Sequence, residues 1–396
     1  MSYLKFGIHG AGVGGNYTGF GDYVAACKTA GVPCIVQAVD NSGPAEAVQD
    51  LGRPFDVVVF RMTEKSGVNL DQANYNADPV AFARKRMADI KTAWPPELDR
   101  WKVWTVPVNE PSKEPQDIDW LASFTLECAK ISIEMGWRHL AYGWSMGTPE
   151  ADYWELPNTL AYLRLCSQHP NLLGVSLHEY SGDDNITDNE PYLIGRFQFL
   201  HDVCDDNAIP YPPIIIGEFG WREASIRPTP GTFESQLTWA QSVYEPYPNI
   251  LGAAIWTAGN WHGSVANDLA ANMPTLTRMA ISYPPYIPPT PPPVIDKPKI
   301  VIVKKPQLSE MTEAENSQVS LWAWQNYGRT ATHSPDDMTT MLKAGNADSY
   351  AVVWWPDRPS QAISIAALKA AGFAYITKPD TAPPPTPTYT RLNVPH

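Results

Sequence analysis

Eight short runs rich in β-branched and aromatic residues recur at residues 4–9, 33–39, 55–61, 103–109, 139–144, 172–180, 214–219 and 250–256. Between and after them lie amphipathic stretches of helical length, at 22–30, 79–92, 117–135, 156–169, 194–207, 233–244 and 273–281. Strand–helix alternation demands parallel strands, because a parallel neighbour is reached only by a crossover connection. Parallel strands are covered on both faces, which is why the runs read as continuously apolar. In the longest helical stretch, Leu121, Phe124, Ala129, Ile131 and Ile133 carry the apolar pattern around more than one face. Eight such units close a barrel, so residues 1–282 are read as a (β/α)8 TIM barrel, a fold of about 250 residues. A doubly wound open sheet is the rival architecture. The Gly10-Ala-Gly-Val-Gly-Gly15 turn lacks the G-x-G-x-x-G spacing of a nucleotide loop, and Asp40 alone follows the second strand.

Beyond residue 282 the composition changes abruptly to a Pro-rich linker, 283–298, of stiff polyproline character. Residues 299–380 then suggest a small α/β module, and 381–396 a Pro/Thr-rich tail. The formal net charge of −13 disfavours nucleic acid or an anionic membrane surface as partner and suits a neutral or cationic substrate. Residues 299–380 carry eight Lys/Arg against eight Asp/Glu, so the acidic excess belongs to the barrel. No apolar run approaches the roughly 20 residues that span a bilayer. The start of the chain shows no charged segment followed by an apolar one and reads as a strand almost at once, so either export does not use that route or a leader is missing from this sequence. Five dispersed cysteines, Cys27, Cys34, Cys128, Cys166 and Cys204, show no C-x-x-C spacing and read as buried free thiols.

In a parallel barrel, chemistry gathers at the carboxyl ends of the strands. Those ends here carry His9, Arg61, Asn109 with Glu110, Trp144, His178 with Tyr180, Glu218 and Trp256. Pro111 has no N–H to give a sheet and is expected to hold Glu110 extended, so the fourth strand must stop there. Period-two alternation puts His178 and Tyr180 on one face and Glu179 on the other. The same rule groups Glu218 with Ile214 and Ile216, and it forbids Asn109 and Glu110 from both pointing inward unless the strand end is irregular.

Asn109-Glu110-Pro111, His178-x-Tyr180, Gly217-Glu218-Phe-Gly and Trp256, in that order of strands, resemble the clan A glycoside hydrolases, retaining β-glycosidases on a (β/α)8 barrel. The resemblance covers the barrel and none of the C-terminal region. It implies that Glu110 is the acid/base and Glu218 the nucleophile, which retention requires to lie about 5–5.5 Å apart. It further implies that Asn109 bonds a sugar 2-hydroxyl and that Trp256 offers a flat face to a ring. For its role Glu110 should have a raised pKa, through apolar surroundings and the nearby Glu218 charge. Glu218 should stay ionised with help from Tyr180 or Arg61. Clan members commonly place an Arg at the end of strand two; this chain has Gln37 and Val39 there and Arg61 one strand later.

Each of these residues also has a plain structural reading. A strand-end Glu is commonly a solvated loop residue, His9 reads as a core histidine, and Arg61 could simply close a salt bridge. Trp104, Trp144, Trp154, Trp221 and Trp261 are either sugar-stacking subsites or core, and the Trp354-Trp355 pair reads as core of the small module. Asp183, Asp184, Asp188 and Glu190 read as a solvated acidic loop rather than a calcium loop. The expected activity is therefore a retaining β-glycosidase acting on a carbohydrate, secreted or surface-associated, with the C-terminal module as an anchor to a surface, particle or polymer. It calls for no cofactor and no metal. The alternatives are a non-catalytic carbohydrate-binding, adhesin-like barrel and a metal-dependent barrel enzyme recruiting His9 and His178.

Overall fold

A computed structural model describes residues 3–12, 16–221, 228–259 and 266–286, with four further strand segments at 301–304, 330–331, 350–354 and 375–378. The first unit is built on eight strands: β1 (Phe6–Ala11), β2 (Ile35–Val39), β3 (Val57–Arg61), β4 (Trp104–Thr105), β5 (His139–Trp144), β6 (Leu173–Tyr180), β7 (Ile214–Gly220) and β8 (Ile250–Gly259). All neighbouring pairs are parallel, and β8 returns to pair with β1, closing the barrel in sequence order.

The helices around it are α1 (Phe20–Ala30), α2 (Gly43–Gln49), α3 (Pro79–Ala93), α4 (Pro115–Met135), α5 (Pro157–Gln168), α6 (Phe197–Asp206), α7 (Pro230–Tyr244) and α8 (Ala266–Ile281). Their starts are written in local chemistry. Asp78 accepts the Ala81 N–H at 2.8 Å ahead of Pro79, and Thr229 caps α7 in the same way ahead of Pro230. Gly136 ends α4 in the left-handed conformation, φ 63°. The short α2, which opens on Gly-Pro, lacks enough periodicity to be read from sequence.

Alternation along the strands divides the core in two. Outward residues such as Ile8, Val36, Phe60, Val175 and Ile216 pack against the helices. Inward residues, among them Ile35, Val57, Val59, Trp104, Leu140 and Ile215, fill the barrel toward the strand starts. Each fully buried aliphatic side chain contributes about 1.5–3 kcal/mol, and together they fill the floor of the barrel below its carboxyl-end mouth. The barrel runs past residue 282: the Tyr286 N–H donates to Gly31 O at 2.8 Å, and its ring packs edge-on against Tyr3. All five cysteines are buried free thiols.

In the second unit the described strands are β9 (Val301–Lys304), β10 (Thr330–Ala331), β11 (Tyr350–Trp354) and β12 (Tyr375–Lys378). They form a parallel sheet in the order β10-β9-β11-β12. The helices expected in this module, most of the expected linker and the tail lie outside the described residues. Among the described residues no helix is long and apolar enough to cross a membrane.

Candidate active site

Glu218 reaches the barrel mouth through an irregularity. β6 and β7 pair evenly as far as Leu177 with Ile216, and then His178 meets Glu218, one residue further on. Ile214 and Ile216 face the helices while Ile215 faces the interior. Unbroken alternation would thus carry Glu218 outward with Ile216, which is the grouping expected from sequence. The extra residue, Gly217, corrects that expectation by turning Glu218 inward. Glycine eases the crowding there, since a Cβ would lie 2.8 Å from both Gln37 Oε1 and Ser176 Oγ and one of those side chains would have to shift.

Glu218 is 5% exposed, with Tyr180, Arg61 and His9 gathered around its carboxyl. Tyr180 donates its hydroxyl to Oε2 at 2.8 Å. The Arg61 Nη2 lies 3.5 Å from Oε1, and His9 Nε2 lies 3.9 Å from the same oxygen. His9 is held by Thr257, whose hydroxyl is 2.9 Å from Nδ1. His9 is therefore a core histidine that also faces the carboxylate, a role that alternation within β1 alone would have suggested.

Glu110 is placed by a second irregularity. The β4 ladder ends at Thr105, and the chain is then carried by single hydrogen bonds, Asn109 N–H to Asp71 O at 2.8 Å and Glu110 N–H to Gly143 O at 2.9 Å. Glu110 itself has φ 42°, left-handed rather than the extended form expected before Pro111. Opposite, Tyr142 and Gly143 have φ 75° and 56° where β5 slips register against β6. The irregular strand end required for an adjacent Asn109 and Glu110 is thus present on both partners. Asn109 Oδ1 is buried with no hydrogen-bond partner among the described residues.

The Glu110 side chain is 47% exposed, and His178 Nδ1 donates to its Oε1 at 3.2 Å. That hydrogen bond, against the opposite pull of partial burial, holds the Glu110 carboxyl below its ordinary value. The raised pKa expected from sequence is corrected: the mouth wets the carboxyl, and His178 favours its anion. The same Nδ1 lies 3.6 Å from Glu218 Oε2. One oxygen of Glu110, Nδ1 of His178 and one oxygen of Glu218 all lie within 4.8 Å of one another. No other group of three or more donors close enough to hold a metal ion occurs among the described residues. The Arg61 cation already supplies positive charge beside Glu218.

The remaining expected residues divide. Trp256, partly exposed and joined to Thr257 by a cis peptide bond, stands 4.4 Å from the His9 ring at the mouth. Trp144 is 2% exposed and stacked on Tyr142. Trp104, Trp154 and Trp221 are likewise buried, and Trp261 lies outside the described residues. Glu179 points to the helices, where it accepts the Gly195 N–H at 2.7 Å and the Tyr244 hydroxyl at 2.6 Å. Asp71, which lies beside Arg61 and accepts the Asn109 N–H, was not anticipated; an acid ten residues beyond the end of β3 carries no sequence signal.

Neither a protein-family model nor a curated protein matches the chain. Among solved structures it is similar to the endo-beta-1,4-mannanase from Thermotoga petrophila, at 11% identity and TM-score 0.38 over 71% of this chain and 77% of that one. It is similar to the catalytic domain of beta-amylase from Paenibacillus polymyxa at 10% identity and TM-score 0.31, over 71% and 100%. It is also similar to the YdjI aldolase from Escherichia coli K12 at 12% identity and TM-score 0.32, over 70% and 91%. The likenesses are distant; the barrel stands on its own strand order.

Proposed function

We propose that the barrel is a retaining β-glycoside hydrolase working by double displacement, with Glu218 as nucleophile and Glu110 as acid/base. The observation that carries this reading is the approach of the two carboxylates, oxygens within 4.8 Å, at one mouth and in unlike surroundings. An approach of that order supports attack by one carboxylate, the arrangement in which the two groups stand about 5–5.5 Å apart. Buried Glu218, with Tyr180 and Arg61 stabilising its charge, attacks the anomeric carbon as the glycosidic bond breaks. Half-exposed Glu110 gives its proton to the leaving oxygen, then takes one from the water that releases the sugar.

Glu110 must gain a proton for the first step. A sugar ring laid over it, on the Trp256 side, strips its water and raises its pKa. In the same reading the protein acts outside the cell or at its surface, with the C-terminal unit as its anchor.

Glu218→Ala should abolish turnover on a polysaccharide panel, with azide restoring part of it. Glu110→Ala should spare substrates whose leaving group needs no proton. Wild-type rates in both variants on every sugar would overturn the assignment, and binding without release of reducing ends would favour the adhesin-like alternative.

A further inference from the structure

Asp71 is 3% exposed, although it lies on the loop after β3, outside any strand. A carboxylate buried in a loop is costly unless its charge is used. Its Oδ2 lies 3.9 Å from Arg61 Nη1, while the other terminal nitrogen of the same guanidinium lies 3.5 Å from Glu218. Arg61, itself 3% exposed, thus lies between two acids, one outside the candidate catalytic pair and one within it, with Nη1 in ion-pair range of Asp71 and beyond hydrogen-bond distance. The Asp71 backbone carbonyl meanwhile accepts the Asn109 N–H at 2.8 Å, one residue before Glu110.

The loop is itself pinned. Arg86 of α3 donates to Gln72 O and to Pro107 O, both at 2.6 Å, stapling the loop to the run that leads into Asn109. Asn69 Oδ1 accepts the Gln72 N–H at 2.7 Å. The charged groups acting on Asp71 are Arg61, Arg86 and Asp40. Those around Glu218 are His9, Arg61, His178, Tyr180 and Glu110.

We propose that Asp71 is a positioning residue for both carboxylates: its side chain fixes the Arg61 guanidinium against Glu218, and its backbone carbonyl fixes the turn that presents Glu110. The proposal rests on the glycosidase reading for its catalytic consequence. The Asp71–Arg61–Glu218 chain of contacts stands independently of it.

Asp71→Asn keeps the backbone carbonyl and the side-chain shape and removes only the charge. It should lower kcat/KM roughly 10- to 100-fold with KM little changed, the scale of a misplaced catalytic group. In an Arg61→Gln background the same change should add no further loss, because its route to Glu218 is already cut. Additive losses, or a wild-type kcat, would overturn the proposal. Asp71→Glu keeps the charge and so does not strand Arg61 and Arg86 should Asp71→Asn fail to fold. It should lower kcat at unchanged melting temperature, and an unchanged kcat overturns the idea. The 13C shift of the Glu218 carboxyl, read at fixed pH, needs no turnover. Asp71→Asn should move it in the wild-type background and not in Arg61→Gln. If no sugar is cleaved, the glycosidase reading falls, and this shift alone decides whether Asp71 acts through Arg61.

Discussion

Tyr180 donates its hydroxyl to Glu218 Oε2 at 2.8 Å, across a strand pair that slips by one residue two positions earlier on β6. A hydrogen bond to a charged group is worth about 1.5–3 kcal/mol, so Tyr180→Phe should reduce kcat/KM roughly 10- to 150-fold on the proposed substrates. Steady-state kinetics against the wild type decide the point, and a loss below twofold would remove Tyr180 from the site.

The His178 bond to Glu110 predicts the ionisation of the free enzyme. His178→Leu removes the largest influence holding the Glu110 carboxyl low, so its titration should move up toward the ordinary glutamate value. Because the folded-state pKa is depressed, the stability this group adds is present above its unfolded pKa and is lost as pH falls through the folded one. Carboxyl NMR titration of Glu110 in both proteins measures the shift, and an unchanged titration would contradict the assignment.

Glu179 carries the opposite sign. Burial pushes its carboxyl up to about 7, against the lowering bonds from Tyr244 and the Gly195 amide. A raised acid binds a proton in the folded state that the unfolded chain has lost, so its stability contribution is full at low pH and declines as pH rises from about 4.5 to about 7. Glu179→Gln should abolish this decline, a differential on the order of 3 kcal/mol between those limits. Urea unfolding of both proteins at several pH values reads it; parallel curves would refute it.

Two glycines separate a required from a tolerated absence of side chain. A Cβ on Gly7 would come 2.1 Å from the Ile35 carbonyl oxygen inside the barrel, whereas one on Gly21, in α1, meets nothing within 4 Å. Gly7→Ala should destabilise by about 1–3 kcal/mol or more, and Gly21→Ala should be neutral or stabilise by about 0.4–1 kcal/mol. Thermal melts of the two variants give the comparison, and equal melting temperatures would mean that the β1–β2 contact yields easily.

The strands β5 and β6 were legible almost to the residue, because apolar runs bounded by turn residues are local signals. β4 was not. Its apolar run extends to Val108, but the ladder ends at Thr105, since Pro107 and Pro111 withhold donors and a loop carbonyl takes the Asn109 amide. Trp144 shows the complementary limit: its place at a strand end was legible, whereas its burial and its stacking on Tyr142 belong to the tertiary structure.

The sequence by itself determined the eightfold alternation, the polar strand ends and the residue types gathered there, because periodicity and proline act over a few residues. Tertiary structure alone decided which way Glu218 faces, that Asp71 lies beside Arg61, and that His178 leaves Glu110 poor in protons. A bulge is set by what occupies the space across the barrel, here Gln37 and Ser176 above Gly217. A carboxyl's affinity for its proton is set by charges and donors brought from distant parts of the chain.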